Sequence, residues 1–179
     1  MFENSLETYF KVATWSSPIV VIFLLILSAF FSGSETALTA SSRPKLRSMS
    51  DRGSVGAKKA LDITNDNESL IGTILLGNNI VNILATSLAT AYFVKLFGDK
   101  GIFLATFCMT VLILVFSELL PKTYAINNPE TAARRVAPLV LFFIYIFSPI
   151  IIFVRKFVQL LLSLIGLKID PSKQILASD

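Results

Sequence analysis

The sequence has no histidine and only one cysteine, Cys108, among its 179 residues. Without imidazole groups or paired thiolates, the chain lacks the ligands that hold zinc, copper, haem and iron–sulfur clusters. A disulfide within the chain is also excluded, because there is no second thiol. A metal site built from this sequence would therefore use oxygen ligands, which bind hard cations.

Charged residues are also scarce, at 16% of the chain, whereas a soluble domain usually carries about a quarter. Hydrophobic residues make up 54% of the chain, and the mean hydropathy is +0.70. The apolar residues form four blocks, at 18–40, 70–96, 102–120 and 136–167. Each of the first three can cross about 30 Å of hydrocarbon as a helix. We therefore predict an all-α membrane protein with three transmembrane helices, at about 18–40, 70–96 and 102–122.

The distribution of Lys and Arg predicts the orientation in the membrane. Nine of these residues lie in the connection 41–68 and just after the third span, whereas three lie on the opposite side. Cytoplasmic loops carry the excess of positive charge in membrane proteins. We therefore predict a multi-pass protein of the cell membrane, with the N-terminal segment 1–17 outside and the C-terminus in the cytoplasm. The formal net charge of +4 then reflects topology, and we expect no nucleic-acid partner.

The connection 41–68 allows two interpretations. Apolar residues between Gly56 and the turn at 65–67 are spaced as on one face of a short amphipathic helix. The same stretch could instead be a solvated basic loop that faces anionic lipid headgroups.

The fourth apolar block is interrupted at Pro149 and again at the pair Arg155 and Lys156. A straight span over the whole block would bury two cations, at roughly 2.5 to 3.5 kcal/mol each. We predict a juxtamembrane helical hairpin at 136–154, bent at Pro149, then an interfacial belt helix at 157–167 and a cytoplasmic tail at 168–179. A fourth full span ending near Val154 is the alternative, and it would place the C-terminus outside.

Each of the first three spans contains a polar cluster. The clusters are Ser28, Ser32, Gly33, Ser34 and Glu35; Asn78, Asn79 and Asn82; and Ser117, Glu118 and Pro121. Along a helix, Ser32 lies roughly 21 Å and Glu118 roughly 24 Å from the outer ends of their spans, and Asn78 lies roughly 12 Å from the inner end of its span. All three clusters therefore lie in the inner half of the membrane, where they can form one site.

The polar residues predict a site for a hard cation. Pro121 has no N–H group, so in an α-helix the carbonyl of Ser117 loses its partner beside the Glu118 carboxylate. The predicted ligands are the Ser32 hydroxyl, the side-chain oxygens of Asn78 and Asn82, the Ser117 carbonyl and the Glu118 carboxylate. Additional candidate ligands are Ser28, Ser34, Glu35 and Asn79. Six oxygens suit Mg²⁺ best, and Na⁺ would accept a looser version of the same set.

Simpler roles remain open for several of these residues. Ser28, Gly33 and Ser34 are typical of positions where membrane helices pack closely, and paired Asn residues can bond across helices without an ion. Glu35 lies nearer the inner boundary and could pair with Arg43. Glu118 is different, because a carboxylate without a partner is costly inside a membrane and therefore indicates a function.

Three motifs resemble the transmembrane domain of the CorC / cyclin-M (CNNM) family. They are FSGSETALT at 31–39, LGNNIVN at 76–82 and FSELLPK at 116–122. The resemblance implies a homodimer, three transmembrane helices with a bent juxtamembrane hairpin and a belt helix, and Mg²⁺ export driven by inward Na⁺ movement. It also implies that Ser32, Asn78, Asn82, Ser117 and Glu118 hold the ion.

The chain departs from this family in two respects. Many members have Gly where this chain has Ser117, so the site must accommodate an added side chain. Members usually continue into cytoplasmic cystathionine-β-synthase-type (CBS) modules that bind ATP with Mg²⁺, and these are absent from this sequence. A truncated chain, a split gene product and an unregulated transporter are equally compatible with that absence.

Two other functions remain open. Glu118 could titrate in a site for Na⁺ or H⁺ without Mg²⁺ transport, or the chain could be a non-transporting membrane anchor or sensor for a soluble partner. We do not expect an enzyme, because no nucleophile and base pair is apparent in the sequence.

Overall fold

The computed structural model describes residues 2–164, with side chains from Pro18 onward. Seven α-helices and one π-helical segment account for most of these residues. They are α1 (Phe2–Ala40), α2 (Arg43–Asp51), α3 (Val55–Thr64), α4 (Asn67–Phe97), α5 (Lys100–Leu112), the π segment (Ile113–Leu119), α6 (Leu120–Asn127) and α7 (Pro129–Leu164).

The prediction of an all-α membrane protein is confirmed, with four candidate spans where we predict three. By length and composition, four helical stretches of the described chain can cross a membrane: Pro18–Ala40, Asn67–Phe97, Lys100–Asn127 and Pro129–Leu164. The first three correspond to the predicted spans, and the third combines α5, the π segment and α6. The fourth is α7, which we had divided into shorter elements.

Helices α1 and α4 form the centre of the bundle. They run antiparallel and meet where the ring of Phe31 lies on the backbone of Gly77, which has no room for a Cβ atom. On the other side of α1, Gly33 lies against Pro121 of α6. Small residues at these contacts let the helices approach closely, as is usual in membranes. We call the end of the bundle where α1 ends and α4 begins the inner end.

Two short helices lie at the inner end. Helix α3 supports the first of the two interpretations of the connection 41–68, a short amphipathic helix, whereas α2 was not predicted. Arg43 links them, because its guanidinium donates to the carbonyl of Thr64, 2.6 Å away, at the end of α3. Asp66 then caps α4 by accepting from the N–H of Ser69. Partial burial opposes ionisation of Asp66, but the Ser69 hydrogen bonds and the Arg155 charge outweigh it and lower its pKa.

Helix α7 corrects the predicted hairpin at 136–154 in its local structure. We expected a break in the helix near Pro149, but α7 continues through this residue as one helix. Pro149 removes only one backbone hydrogen bond, to the carbonyl of Tyr145. A loop at this depth would leave several backbone groups without partners in hydrocarbon, so a continuous helix has the lower free energy.

The predicted belt helix at 157–167 is likewise not a separate element, since its residues up to Leu164 continue α7. Residues 165–167 and the predicted tail at 168–179 lie outside the described residues. At the other terminus, the segment predicted at 1–17 is helical from Phe2 and continuous with the first span.

Contacts place both ends of α7 at the inner end of the bundle. Near its start, the carbonyl of Arg134 touches the backbone of Gly56 in α3. Near its end, Arg155 forms an ion pair with Glu68 at the start of α4, with 2.9 Å between Nε and Oε1. Between them, Phe143 packs against Phe31, deep in the bundle, with 4.8 Å between ring centroids. The helix therefore enters the bundle and returns to the same end, as the hairpin was predicted to do.

The Gly56 contact gives a stability prediction. A Cβ atom at position 56 would overlap the Arg134 carbonyl, which is backbone and cannot move aside. We expect Gly56→Ala to destabilise the protein by about 1–3 kcal/mol through overpacking. The matched control is Gly72→Ala, whose Cβ would meet only the flexible end of the Ile151 side chain at 3.2 Å. Thermal unfolding in detergent micelles measures both, and an equal effect of the two substitutions would contradict this account.

Candidate functional site

Three predicted residues meet between α1 and α4. The side-chain oxygen of Asn78 accepts a hydrogen bond from the Ser28 hydroxyl at 2.8 Å. It also accepts a longer one, 3.4 Å, from the amide nitrogen of Asn82, one helical turn away. Ser28, one of the additional candidate ligands, thus directly contacts Asn78, a principal predicted ligand. In this arrangement the Asn78 oxygen is already bonded, and it would need to exchange these partners to bind an ion.

Two atoms of the principal predicted ligands are buried and lack hydrogen-bond partners within the described chain. They are the hydroxyl of Ser32, a residue only 1% exposed, and the side-chain oxygen of Asn82. A buried polar atom without a partner costs about 1–3 kcal/mol. These two oxygens are therefore free to bind a cation or water, whereas Asn78 is not.

The third span contains a π-helical segment that the sequence did not predict. Residues Ile113–Leu119 have π geometry, and the N–H of Leu120 bonds the carbonyl of Val115, five residues earlier. In this register the Phe116 carbonyl receives no bond from Leu120, and Pro121 has no N–H to offer it. The Ser117 carbonyl also lacks its α-helical partner, as predicted. The Phe116 carbonyl, which we did not predict, thus loses its α-helical partner as well.

The Ser117 side chain points away from these carbonyls. Its hydroxyl donates to the carbonyl of Leu25 in α1, 3.1 Å away, and the residue is completely buried. The side chain that replaces a glycine in many family members is thus accommodated by a bond to the neighbouring helix. This bond also fixes the π segment against α1. The carbonyl of Ser117 remains a predicted ligand.

Glu118 has no hydrogen bond or ion pair with any described residue, and it lines a groove of about 320 Å³ between α4 and α5. Other lining residues include Thr86, Thr106 and Thr110. Glu118 thus does not contact the predicted asparagine ligands in this arrangement. Thr86 lies one turn beyond Asn82 on α4, so a row of polar side chains leads from the buried oxygens to the groove.

The remaining candidate ligands, Glu35 and Asn79, have surroundings different from those of the buried oxygens. Glu35 pairs with Lys122, 3.6 Å away, and not with Arg43 as we had considered. About a third of the Glu35 side chain is exposed. Asn79 is exposed and has no bond to the other asparagines. Glu35 and Asn79 therefore lie apart from the buried oxygens.

Ser34 and Thr73 carry two further buried hydroxyls, and Thr73 is not among the predicted site residues. Both are at most 1% exposed, and their hydroxyls have no partner within the described chain. The antiparallel register of α1 and α4, set by the contacts Ser28 to Asn78 and Phe31 to Gly77, brings these two hydroxyls to the same level. They lie on the opposite flank of the interface from Ser28, because Ser34 is on another face of α1. Recognising Thr73 would have required this register.

The donor chemistry of the candidate site is mainly neutral. Within residues 18–164, there is no group of three or more His, Cys, Asp or Glu side chains that could hold a metal. The available ligands are hydroxyl, amide and backbone oxygens with one carboxylate. Such a set suits weak, reversible binding of a hard cation better than a permanent metal centre.

Comparison with known proteins gives a match over nearly the whole chain. The family described as the cyclin M transmembrane N-terminal domain matches residues 19–179. A UPF0053 protein of Haemophilus influenzae is 38% identical over 161 residues, which are 90% of this chain and 38% of that protein. The UPF0053 inner membrane protein YfjD of Escherichia coli K12 is 37% identical over 144 residues, which are 80% of this chain and 34% of that protein.

A third relative is more distant. The polyamine export protein of Escherichia coli K12 is 25% identical over 177 residues, which are 92% of this chain and 40% of that protein. The chain thus spans two fifths or less of the length of these three relatives.

The unpartnered hydroxyl of Thr73 gives a second prediction. Thr73→Val keeps the side-chain shape and removes a polar atom that this fold leaves unsatisfied, which is neutral or stabilising. We expect the melting temperature to stay equal or rise by up to about 2–4 °C. The control is Thr90→Val on the same helix, which loses a 2.8 Å bond to the Thr86 carbonyl and should not stabilise. A clear fall for Thr73→Val would indicate that its hydroxyl has a partner.

Proposed function

The chain belongs to the cyclin M transmembrane family, and we propose that it transports Mg²⁺ across the membrane with Na⁺ as the coupling ion. One relative is named as an inner membrane protein, and another is named for the export of polyamines, which are organic cations. The observation that carries the proposal is Glu118, a carboxylate without a partner among the described residues, in the π segment of a candidate membrane span. Such a group indicates an ion pathway.

The proposed site combines this carboxylate with the two unsatisfied oxygens of Ser32 and Asn82. Asn78 would join them by releasing its bonds to Ser28 and Asn82 when the ion arrives. Mg²⁺ gives up water reluctantly, so a site with one formal negative charge should bind it modestly and release it readily. Na⁺ accepts the same oxygen ligands, and competition for Glu118 would couple the two ions.

Glu118 lies in a groove separate from the Ser28–Asn78 contact, so transport would require a rearrangement that brings them together. Helix α4 carries Asn78, Asn82 and Thr86 in one row along this route. We propose that the ion leaves the buried oxygens along this row toward the groove. In this scheme, the conformation described above is one of at least two conformations that alternate during transport.

Export of an organic polyamine is the second candidate. One relative is named for this activity, although it is only 25% identical. The groove at Glu118 supports the idea, because it also includes Met109, Ile113 and Leu114. A carboxylate beside apolar side chains fits the charged amine and the methylene chain of such a molecule.

We further propose the orientation and assembly. The excess of Lys and Arg at the inner end favours placing that end in the cytoplasm and residue 1 outside. Helix α7 would then enter from the cytoplasm and return to it, with Arg155 at the interface. A homodimer is proposed from family membership, as is regulation by CBS modules in longer relatives.

Substitution of Glu118 tests the function. We expect Glu118→Gln to slow Mg²⁺ flux about tenfold or more, because one charge near 4 Å from the ion is worth several kcal/mol even at an effective dielectric constant of about 20. The 179-residue chain is reconstituted in liposomes containing a Mg²⁺-sensitive dye, with and without a Na⁺ gradient. The control is Asp99→Asn, which removes a carboxylate at the hairpin between α4 and α5.

A parallel arm with radiolabelled putrescine separates the two cargoes. Putrescine flux without Mg²⁺ flux would replace the first proposal by the second. Flux of H⁺ or Na⁺ alone would support a simpler ion pathway. If the wild-type chain moves none of these, or if Glu118→Gln matches wild type, the transport proposal is wrong and an anchoring or sensing role becomes the better explanation.

A further inference from the structure

A polar groove lies between α2 and α3, away from the candidate ion site. Its volume is about 590 Å³, and its lining includes Arg43, Arg47, Ser50, Asp51 and Asn65. Helices α2 and α3 are held together by the buried Leu46 and Ala60 and by the Arg43 bond to the end of α3. The groove is therefore part of a fixed framework at the inner end.

The two arginines of the groove differ in their bonding. Arg43 is held by the Thr64 carbonyl at 2.6 Å and by the Asn65 side chain at 3.2 Å. Arg47 has no ion pair or hydrogen bond with any described residue, although Asp51 lies one turn further along α2. Its guanidinium thus keeps all five donors available.

Two positive charges on one helical face repel each other. Arg43 and Arg47 are four residues apart, which places them on the same face of α2, and both line the groove. Like charges at this spacing destabilise a helix unless an anion lies between them. The planar guanidinium fits phosphate oxygens in a bidentate manner, and the Ser50 hydroxyl adds a further donor.

The position of the groove along the membrane normal favours a lipid as the anion. The apolar part of α1 ends at Ala40, and Arg43 follows only three residues later. The groove therefore lies at the level of the headgroups, beside the hydrocarbon. A phosphate there is present at high local concentration, and basic residues next to a span are attracted to anionic lipids.

We propose that this groove binds the headgroup phosphate of an anionic phospholipid, with Arg47 as the principal contact and Arg43 as a fixed second charge. Asp51 limits the net positive charge of the groove, so binding depends on the placement of Arg47. Helix α3 packs on α7 and leads into α4. The bound lipid therefore stabilises the packing of α2 and α3 at the inner end of the bundle. This site is independent of the ion-binding residues and of the proposed transport.

The test uses the purified chain in micelles to which either phosphatidylglycerol or phosphatidylcholine is added at equal ionic strength. We expect phosphatidylglycerol to raise the wild-type melting temperature by about 2–4 °C over phosphatidylcholine, as for a ligand that binds the folded state only. Arg47→Gln should lose most of this difference. The control Arg52→Gln removes an equal charge just after α2, outside the groove lining, and should keep it.

Three results would overturn the proposal. The first is an equal effect of the two lipids on wild type, and the second is an equal loss in Arg47→Gln and Arg52→Gln, which would indicate only general attraction of charge. The third is full stabilisation by inorganic phosphate without phosphatidylglycerol, which would assign the groove to a soluble anion. None of these measurements requires ion flux. The lipid-binding proposal can therefore be supported or overturned whether or not the chain transports ions.

Discussion

Hydrocarbon offers no hydrogen bonds, and this constraint governs the whole molecule. Long, continuous helices satisfy it over most of the described residues, even through Pro149 in α7. Among the described residues, the exceptions include the hydroxyls of Ser32, Ser34 and Thr73, the side-chain oxygen of Asn82 and the Glu118 carboxylate. Places where a membrane protein leaves polar atoms unsatisfied are where it is expected to meet its cargo.

Much of this architecture could be predicted from the sequence. Length and hydropathy located the first three spans, since an apolar run of that length has few other stable states. Depth along the helices placed the polar clusters of the first two spans at a similar level, and in the structure Ser28 of one cluster bonds to Asn78 of the other. Family membership followed from three motifs that a random apolar helix would not contain. The identity of the ion, the ligand set and the pairing of two chains remain predictions.

Other features depend on contacts between helices and were not accessible. The π segment requires an extra residue in one turn, and the bond from Ser117 to the Leu25 carbonyl helps to hold it, which no local pattern reveals. Thr73 became recognisable only when the register of α1 against α4 was known. Helix α7 was misassigned at Pro149 because proline marks the end of many soluble helices, whereas in a bilayer neighbouring helices compensate the lost bond.

The aromatic ring of Phe31 has a mechanical consequence for any rearrangement of the bundle. It is sandwiched between the bare backbone of Gly77 on α4 and Phe143 on α7, and it immediately precedes Ser32 in the sequence. Turning α1 about its axis to reorient that serine would swing the ring against one neighbour or the other. Motion of the first helix is thereby transmitted to the reentrant one, whose far end is anchored at Glu68 by Arg155. Force applied at the inner end would reach the middle of the bundle by the same route.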